Sequence, residues 1–171
     1  MPIATAAATA AVLFAAFSLN RQPATPSQQA AASSRVVQAG AEATDRIRLA
    51  AIGDHLERSE RLLLDVVNAE GQMDMTVQQT WAADLIESNR IYRYAADTAG
   101  EPLVAEVLDD LERSLLDVAH SPAHLAGSDL DRLRKRVESS DLLFKVRVMS
   151  DALREREGEG ERTSSMTKDS I

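Results

Sequence analysis

The chain contains one long apolar run near its start, followed by a polar stretch and then by regularly spaced apolar residues. From Ile3 to Leu19 the sequence has no charged side chain. At the rise of an α-helix this run extends about 26 Å, close to the roughly 30 Å hydrocarbon core of a bilayer. It therefore predicts a single transmembrane helix or signal anchor within residues 1–20.

Two alternatives to a membrane anchor are weaker. A cleaved signal peptide has a basic segment before its apolar run, and only Met1 and Pro2 precede this one. A buried N-terminal helix needs a following segment that folds back over it, whereas residues 21–43 read as a flexible linker rich in Pro, Ser, Gln and Ala. Because only Arg21 supplies the positive charge that orients a membrane helix, we hypothesise that the natural chain starts upstream of Met1.

Apolar residues at steps of three and four positions predict four amphipathic helices in residues 44–157. The first is expected over residues 45–68 and the second over 75–98, with Gly71 in a left-handed conformation between them. The third starts near Pro102, since the first position of a helix tolerates proline, and runs to about His120.

The fourth predicted helix is long. It begins after Ser128 and continues to about Glu157, with Ser139-Ser140-Asp141 as a break or bend. The polar tail over residues 158–171 is predicted to be disordered. No segment alternates between apolar and polar residues over a sustained length, so we predict no sheet. The expected fold is all-α, with the transmembrane helix followed by an antiparallel bundle of about four helices.

The spacing of apolar residues also predicts which face of each helix is buried, and the second predicted helix is an example. Its apolar stripe is expected to contain the following residues: Val77, Trp81, Leu85, Ser88, Ile91, Tyr92 and Ala95. Ile47 in the first helix and Leu103 in the third are assigned to buried stripes by the same spacing. The single Trp81 is interpreted as a core residue.

Charge and cysteine content narrow the function classes. The formal net charge is −8, which argues against a nucleic-acid partner because binding phosphates requires a basic face. The chain has no cysteine, which excludes disulfides, thiolate metal sites and a cysteine nucleophile. Both oxidising and reducing compartments are compatible with this composition.

Candidate metal ligands are few. His120 and His124 have a spacing that occurs in metal sites, but Ser121-Pro122 interrupts a continuous helix between them. His55 stands alone in the first helix. Loop packing or surface exposure is therefore the preferred interpretation of these histidines, and we assign no metal site and no cofactor.

Catalytic signatures are also missing from the sequence. It contains no phosphate-binding glycine loop, no nucleophile elbow and no dinucleotide fingerprint. Asp109, Asp110 and Glu112 are interpreted as a solvated helix face. The basic run of Arg132, Arg134, Lys135 and Arg136 is expected to pair with acids one turn away, although a weak contact with anionic lipid or an acidic partner is also open. We assign no catalytic residue and expect the protein not to be an enzyme.

Most of the predicted bundle resembles a known family. The segments IGDHLERSERLLLDVVN (52–68), WAADLIESNRIYRYAADTAGEPLVAEVLDDLERSLLDVAHSP (81–122) and LDRLRKRVESSDLLFKVRVMSDALRERE (130–157) are similar to the extracytoplasmic helical region of membrane-bound, zinc-finger-type anti-sigma factors. In that family a cytoplasmic zinc-binding module with His and Cys ligands precedes the membrane helix and inhibits a sigma factor. This sequence lacks that module, so the resemblance implies only the anchor and the outer domain.

These observations lead to one leading hypothesis and one alternative. The leading hypothesis is a sensor or interaction domain of an anti-sigma-like transcription regulator, anchored in the bacterial inner membrane through residues 3–19 with its bundle on the periplasmic side. It would act through a protein partner or a change of homo-oligomeric state, and reach a sigma factor only indirectly through the missing module. The alternative is an exported helical structural or scaffolding protein unrelated to transcription.

Overall fold

In a computed structural model, five helices and two short strands are formed by the residues that the structure describes, which are 26–139 and 141–168. Side chains are described for residues 34–138, 141–160 and 162. The elements in chain order are α1 (Pro26–Val67), β1 (Gln72–Asp74), α2 (Thr76–Thr98), α3 (Pro102–Ala119), β2 (His124–Ala126), α4 (Ser128–Ser139) and α5 (Leu142–Lys168).

The chain divides into two units, residues 1–41 and residues 42–171. In the first unit the described residues belong to the start of α1, where Val36 and Val37 are largely exposed. The second unit contains the remainder of α1 and the six other elements given above. The bundle described below belongs entirely to this second unit.

Ion pairs show that α1 and α5 are antiparallel neighbours. Arg147 of α5 donates to Glu60 of α1, with 2.9 Å between Nε and Oε1, and Arg154 pairs with Glu57. The residue number rises along α5 as it falls along α1, so the two helices run in opposite directions.

The order of ion-paired residues also shows that α3 and α5 are antiparallel neighbours. Lys145 Nζ lies 2.8 Å from Asp110 Oδ2, and Arg156 pairs with Glu101, the residue that precedes α3. The hydrogen bond from Lys145 lowers the pKa of Asp110, and the bond from Arg156 lowers the pKa of Glu101. The predicted all-α fold and helical bundle are confirmed.

Aliphatic side chains fill the core. The largest fully buried side chains are Ile52, Leu56, Leu62, Leu63, Met75, Leu108, Leu111, Leu115, Leu130, Leu133, Leu142 and Leu153. They come from α1, α3, α4 and α5 and from the residue before α2. Because dispersion contacts in such a core are many and close, removing one buried Leu side chain typically costs about 2–5 kcal/mol.

The buried face of α2 differs from the predicted one. Its buried residues are Ala82, Leu85, Ile86, Asn89 and Ala96, while Val77 and Ile91 are exposed. Ile47 and Leu103 are exposed as well, so their assignment to buried stripes was wrong. Compared with the prediction, α2 is rotated about its own axis because Asn89 takes a core position. There its side chain forms hydrogen bonds with buried groups of α1 and α3. Trp81 is half-buried and packs against the core.

Helix α1 begins earlier than predicted. Residues 26–43 are helical, so the flexible linker predicted over residues 21–43 is wrong for this part. Pro26 stands at the first helical position, which suits its fixed φ, and the Gln- and Ala-rich sequence after it has high helix propensity.

Helix α5 also extends further than expected. It continues to Lys168, where a disordered tail was predicted from residue 158. Gly158 and Gly160 lower the intrinsic helix propensity there. Arg46 of α1 packs closely against Gly160, since its Cδ lies 3.0 Å from the position that a Cβ of Gly160 would occupy.

The predicted fourth helix is two helices. Helix α4 ends at Ser139 and α5 begins at Leu142, with Asp141 between them in a left-handed conformation at φ 51°. The signal Ser139-Ser140-Asp141 therefore marks a helix boundary. Gly71 has φ 69°, which confirms the left-handed turn predicted after the first helix.

The prediction that the chain contains no sheet was wrong. Strands β1 and β2 form an antiparallel pair in which Met73 lies opposite Leu125 and Asp74 opposite His124. Each strand has three residues, too few to give a recognisable alternation in the sequence. Buried Leu125 joins this pair to the core.

The predicted transmembrane segment lies outside the described residues. Among the helices that the structure does describe, none has both the length and the apolar character needed to cross a bilayer.

Candidate interaction site

Helix α4 lies across the end of the bundle at which α1 and α3 finish. Arg134 of α4 donates from Nε to the carbonyl oxygen of Val67 at 2.7 Å, and its guanidinium also bonds to the carbonyl of Ala69. Arg136 donates to Asp117 of α3 at 3.1 Å. Carbonyl groups at a helix C-terminus lack intrahelical hydrogen-bond donors. Arg134 supplies donors to these carbonyls at the end of α1 and thereby fixes α4 there.

A cleft of about 350 Å³ opens between the end of α3, strand β2 and α4. Its apolar lining comes from Leu116, Pro122, Leu125 and Leu133. Leu125 and Leu133 are almost fully buried core residues, so they form a rigid floor. We call this feature the end cleft.

Charged side chains form the rim of the end cleft. Arg132 pairs with Asp129 on α4, and Arg136 reaches Asp117 on α3. His120, the residue directly after α3, completes the rim. The charged side chains of the rim are exposed, so their ion pairs are screened by water and each contributes little to stability.

The structure thus brings together residues that the sequence analysis treated separately. His120 and two members of the basic run, Arg132 and Arg136, share the end cleft, whereas His124 is exposed on β2 opposite Asp74. His124 does not line the end cleft. Among the described residues, no group of three or more His, Asp and Glu side chains has the arrangement of a metal site.

The acids of α3 connect the helices of the bundle. Arg113 pairs with both Asp109 and Asp110 one turn away on the same helix. Glu112 accepts a hydrogen bond from Arg90 of α2 at 2.8 Å. The predicted solvated face describes Asp109 best, since Asp110 and Glu112 expose only 21% and 15% of their side chains. These two acids instead link α3 to its neighbours, Asp110 to α5 through Lys145 and Glu112 to α2.

Sequence reasoning missed a buried polar network between α1, α2 and α3. The side chains of His55 and Asn89 are both fully buried. Asn89 Nδ2 donates to the carbonyl oxygen of Leu108 at 2.7 Å, which directs Oδ1 to His55 Nε2 at 3.1 Å. This arrangement requires the proton of the neutral imidazole to be on Nε2. The ring of Tyr92 lies 5.0 Å from the His55 ring between centroids.

Burial determines the charge state of His55. The pKa of His55 is lowered to about 4. Loss of hydration is the main cause, and the nearby charge of Arg58 also lowers the pKa, whereas the hydrogen bond with Asn89 acts in the opposite direction. His55 is therefore neutral at pH 7. Its role in the described structure is to hold α1 against α2, and no sequence pattern around it distinguishes this role from a surface histidine.

Several large apolar side chains of the second unit are exposed. On α2 these are Val77, Ile91 and Tyr94, and on α5 they are Phe144 and Val148, which lie one turn apart. Single exposed apolar residues are normal on a soluble surface, but pairs on one helix face indicate places at which other molecules can pack.

Comparisons with protein-family models, with curated proteins and with solved structures find no match to this chain.

Proposed function

We propose that this chain is a membrane-tethered helical interaction domain that acts by binding another protein, in the manner of the outer part of an anti-sigma regulator. The observation that carries the proposal is the end cleft, where an apolar floor is surrounded by paired charges. The tether is the apolar run over residues 3–19, and the similarity of residues 52–157 to that family supports the regulatory role.

The end cleft has the anatomy of a protein-binding hot spot. In such sites a large side chain of the partner enters an apolar pocket, and the polar rim excludes water and fixes orientation. Leu125 and Leu133 supply a floor that is held by the core and does not need to reorganise. A cavity of about 350 Å³ accommodates one or two large side chains.

The rim explains how the partner is selected. Arg132 and Arg136 provide planar guanidinium groups that bind carboxylates in two-pronged geometry, while Asp117 and Asp129 provide acceptors beside them. A partner that binds here carries an apolar anchor flanked by both acidic and basic residues. The tether keeps the domain next to the membrane, which raises its effective concentration toward partners in the same membrane.

Photocrosslinking in membranes tests this proposal. A photoreactive phenylalanine replaces Pro122 at the end cleft in the full chain, and replaces exposed Glu106 of α3 in the control. We expect one discrete protein adduct from position 122 and none from position 106.

Charge reversal shows whether that adduct depends on the rim. Arg136→Glu is expected to weaken the adduct by roughly tenfold, because two acids then stand beside each other, while Arg113→Glu on the outer face of α3 leaves it unchanged. Equal adducts from both positions, or an adduct insensitive to Arg136→Glu, would contradict binding at the end cleft.

A further inference from the structure

Helix α2 has a continuous exposed face on the side opposite the core. The residues of this face follow each other at alternating steps of three and four positions, and they are Val77, Thr80, Asp84, Glu87, Ile91 and Tyr94. Such spacing keeps side chains on one side of a helix. The three apolar members expose between 68% and 74% of their surface. We call this face the α2 strip.

Apolar side chains stand at both ends of the α2 strip. At its start, Val77 and Trp81 line a shallow cleft of about 360 Å³, and all the residues that line this cleft belong to α2. At its other end, Ile91 and Tyr94 lie one turn apart. The rise of an α-helix separates the two ends by about 25 Å. A partner that covers both ends is therefore elongated.

Two carboxylates stand between the apolar ends. Asp84 and Glu87 are exposed, and neither forms an ion pair with a Lys, Arg or His side chain in the part of the chain that the structure describes. The two arginines of α2, Arg90 and Arg93, are instead turned toward α3, where both contact Glu112. The α2 strip therefore combines exposed apolar groups with two negative charges that the bundle does not neutralise.

These two charges decide between the candidate occupants of the α2 strip. A second copy packed strip against strip brings like charges together, because Asp84 then meets Asp84 in a parallel pair and Glu87 in an antiparallel pair. Anionic lipid surfaces and nucleic acids are repelled for the same reason. The apolar run of this chain over residues 3–19 has no cation to offer. A basic polypeptide is the occupant that complements both the apolar ends and the acids.

We propose that the α2 strip binds a basic amphipathic helix of another protein. The apolar side chains of that helix cover the two ends of the strip, and its Lys or Arg side chains pair with Asp84 and Glu87. A helix of about five turns matches the length of the strip. The α2 strip shares no residue with the end cleft, so this binding does not depend on the partner assigned there.

A synthetic peptide tests this chemistry on the full chain in nonionic detergent. The peptide is a helix of about 18 residues with Leu opposite the apolar ends of the strip and Lys opposite its acids, and the control peptide has Glu in place of Lys. Trp81 is the single tryptophan of the chain and lies beside the strip, so its fluorescence reports binding. We expect the Lys peptide to bind roughly tenfold or more tightly than the Glu peptide.

Charge reversal locates the binding on α2. Asp84→Lys together with Glu87→Lys is expected to weaken binding of the Lys peptide by roughly tenfold or more. Asp54→Lys together with Asp65→Lys is the matched control, because these two acids of α1 are also exposed and without an ion pair, and the net charge changes equally. The control is expected to keep the wild-type affinity. Equal affinity of the two peptides, or equal weakening in the two double variants, would overturn the proposal.

Photocrosslinking in bacterial membranes identifies the natural occupant. A photoreactive phenylalanine replaces Thr80 in the α2 strip, and replaces Asp54 of α1 in the control. We expect an adduct only from position 80, joined to a segment with apolar residues and Lys or Arg at helical spacing. Asp84→Lys with Glu87→Lys is expected to abolish this adduct, and Arg136→Glu at the end cleft leaves it unchanged. No adduct, or an adduct with lipid, with an acidic segment or with a second copy, contradicts the proposal.

Discussion

His55 and Asn89 hold three helices together through polar atoms rather than through apolar contact. The carbonyl of Leu108, the amide of Asn89 and the imidazole of His55 form a chain of hydrogen bonds across α3, α2 and α1. A buried polar group that loses its partner costs about 1–3 kcal/mol, so each member of this chain requires the others. The network therefore specifies the rotation of α2 in the bundle.

The protonation of His55 makes stability depend on pH. The unfolded chain binds a proton at this histidine near the usual pKa of 6.5, whereas the folded chain binds it only near pH 4. Between these values the unfolded state holds more protons, so the free energy of unfolding falls as the pH falls from about 6.5 to 4. The full loss attributable to His55 is about 3 kcal/mol, from the difference between the two pKa values.

Urea unfolding followed by circular dichroism measures this effect at several pH values between 7 and 4. His55→Gln keeps a donor for Asn89 but has no titrating ring, so the difference between wild type and variant isolates the histidine from the carboxylates. As the pH falls from 7 to 4, we expect the free energy of unfolding to decrease more for the wild type than for His55→Gln. Parallel pH profiles for both chains would show that His55 is not buried as described.

Residue-level sequence reasoning succeeded at Gly71 and failed at Asn89 and Ile47. Gly71 is predictable because one local conformation explains it. The placement of Asn89 is not, because its partners lie 34 residues before it and 19 residues after it in the chain. Ile47 is exposed although it is apolar, and only the packed structure shows which face of α1 is covered.

At the level of elements, the turn between α2 and α3 is specified locally. Gly100 has φ 73°, and the backbone N–H groups of Gly100 and Glu101 return to the carbonyls of Asp97 and Ala96. These two bonds form the motif that commonly ends helices at a glycine. The turn allows Pro102 to start α3 directly, as predicted.

Two glycine substitutions are expected to have opposite effects on the free energy of unfolding. Gly100→Ala lowers it by about 1 kcal/mol, because the left-handed conformation strains any side chain. Gly53→Ala raises it by about 1 kcal/mol, because Gly53 lies within α1 and a Cβ there meets no atom within 4 Å. Thermal unfolding of the two variants and the wild type measures both changes. Stability changes of the same sign in both variants would contradict these backbone assignments.

The attachment of α4 to α1 is expected to depend on one side chain. Arg134→Ala removes the hydrogen bonds to the carbonyls of Val67 and Ala69 at the end of α1 and lowers the free energy of unfolding by about 2 kcal/mol. Arg132→Ala is the control on the same helix, since it loses an exposed ion pair worth about 0.5 kcal/mol. Similar losses for both variants in urea unfolding would argue against this anchoring role.

The sequence predicted the existence of the helices better than their ends or faces. Periodicity identified α2 and α3 nearly to the residue, because Gly71, Gly100 and Pro102 mark their limits. It did not identify β1 and β2, whose pairing depends on two short segments about 50 residues apart. The end cleft was equally inaccessible to prediction, since His120 and Arg136 meet only after α4 has folded across the bundle.

At the level of the whole molecule, the end cleft lies at one end of the second unit, where α1 and α3 finish and α4 crosses the bundle. The proposed function assigns partner binding to this end cleft and membrane attachment to residues 3–19, so the two tasks belong to different parts of the chain.

Membrane fractionation tests the central claim, that this bundle is a tethered interaction domain, most directly. The full chain and a variant lacking residues 3–19 are expressed separately in bacteria, and the membranes are washed with alkaline carbonate to release peripheral proteins. We predict that the full chain stays in the membrane pellet, while the shortened chain appears in the supernatant with the circular dichroism spectrum of a folded helical protein. Release of the full chain by carbonate, or retention of both chains in the pellet, would contradict the account.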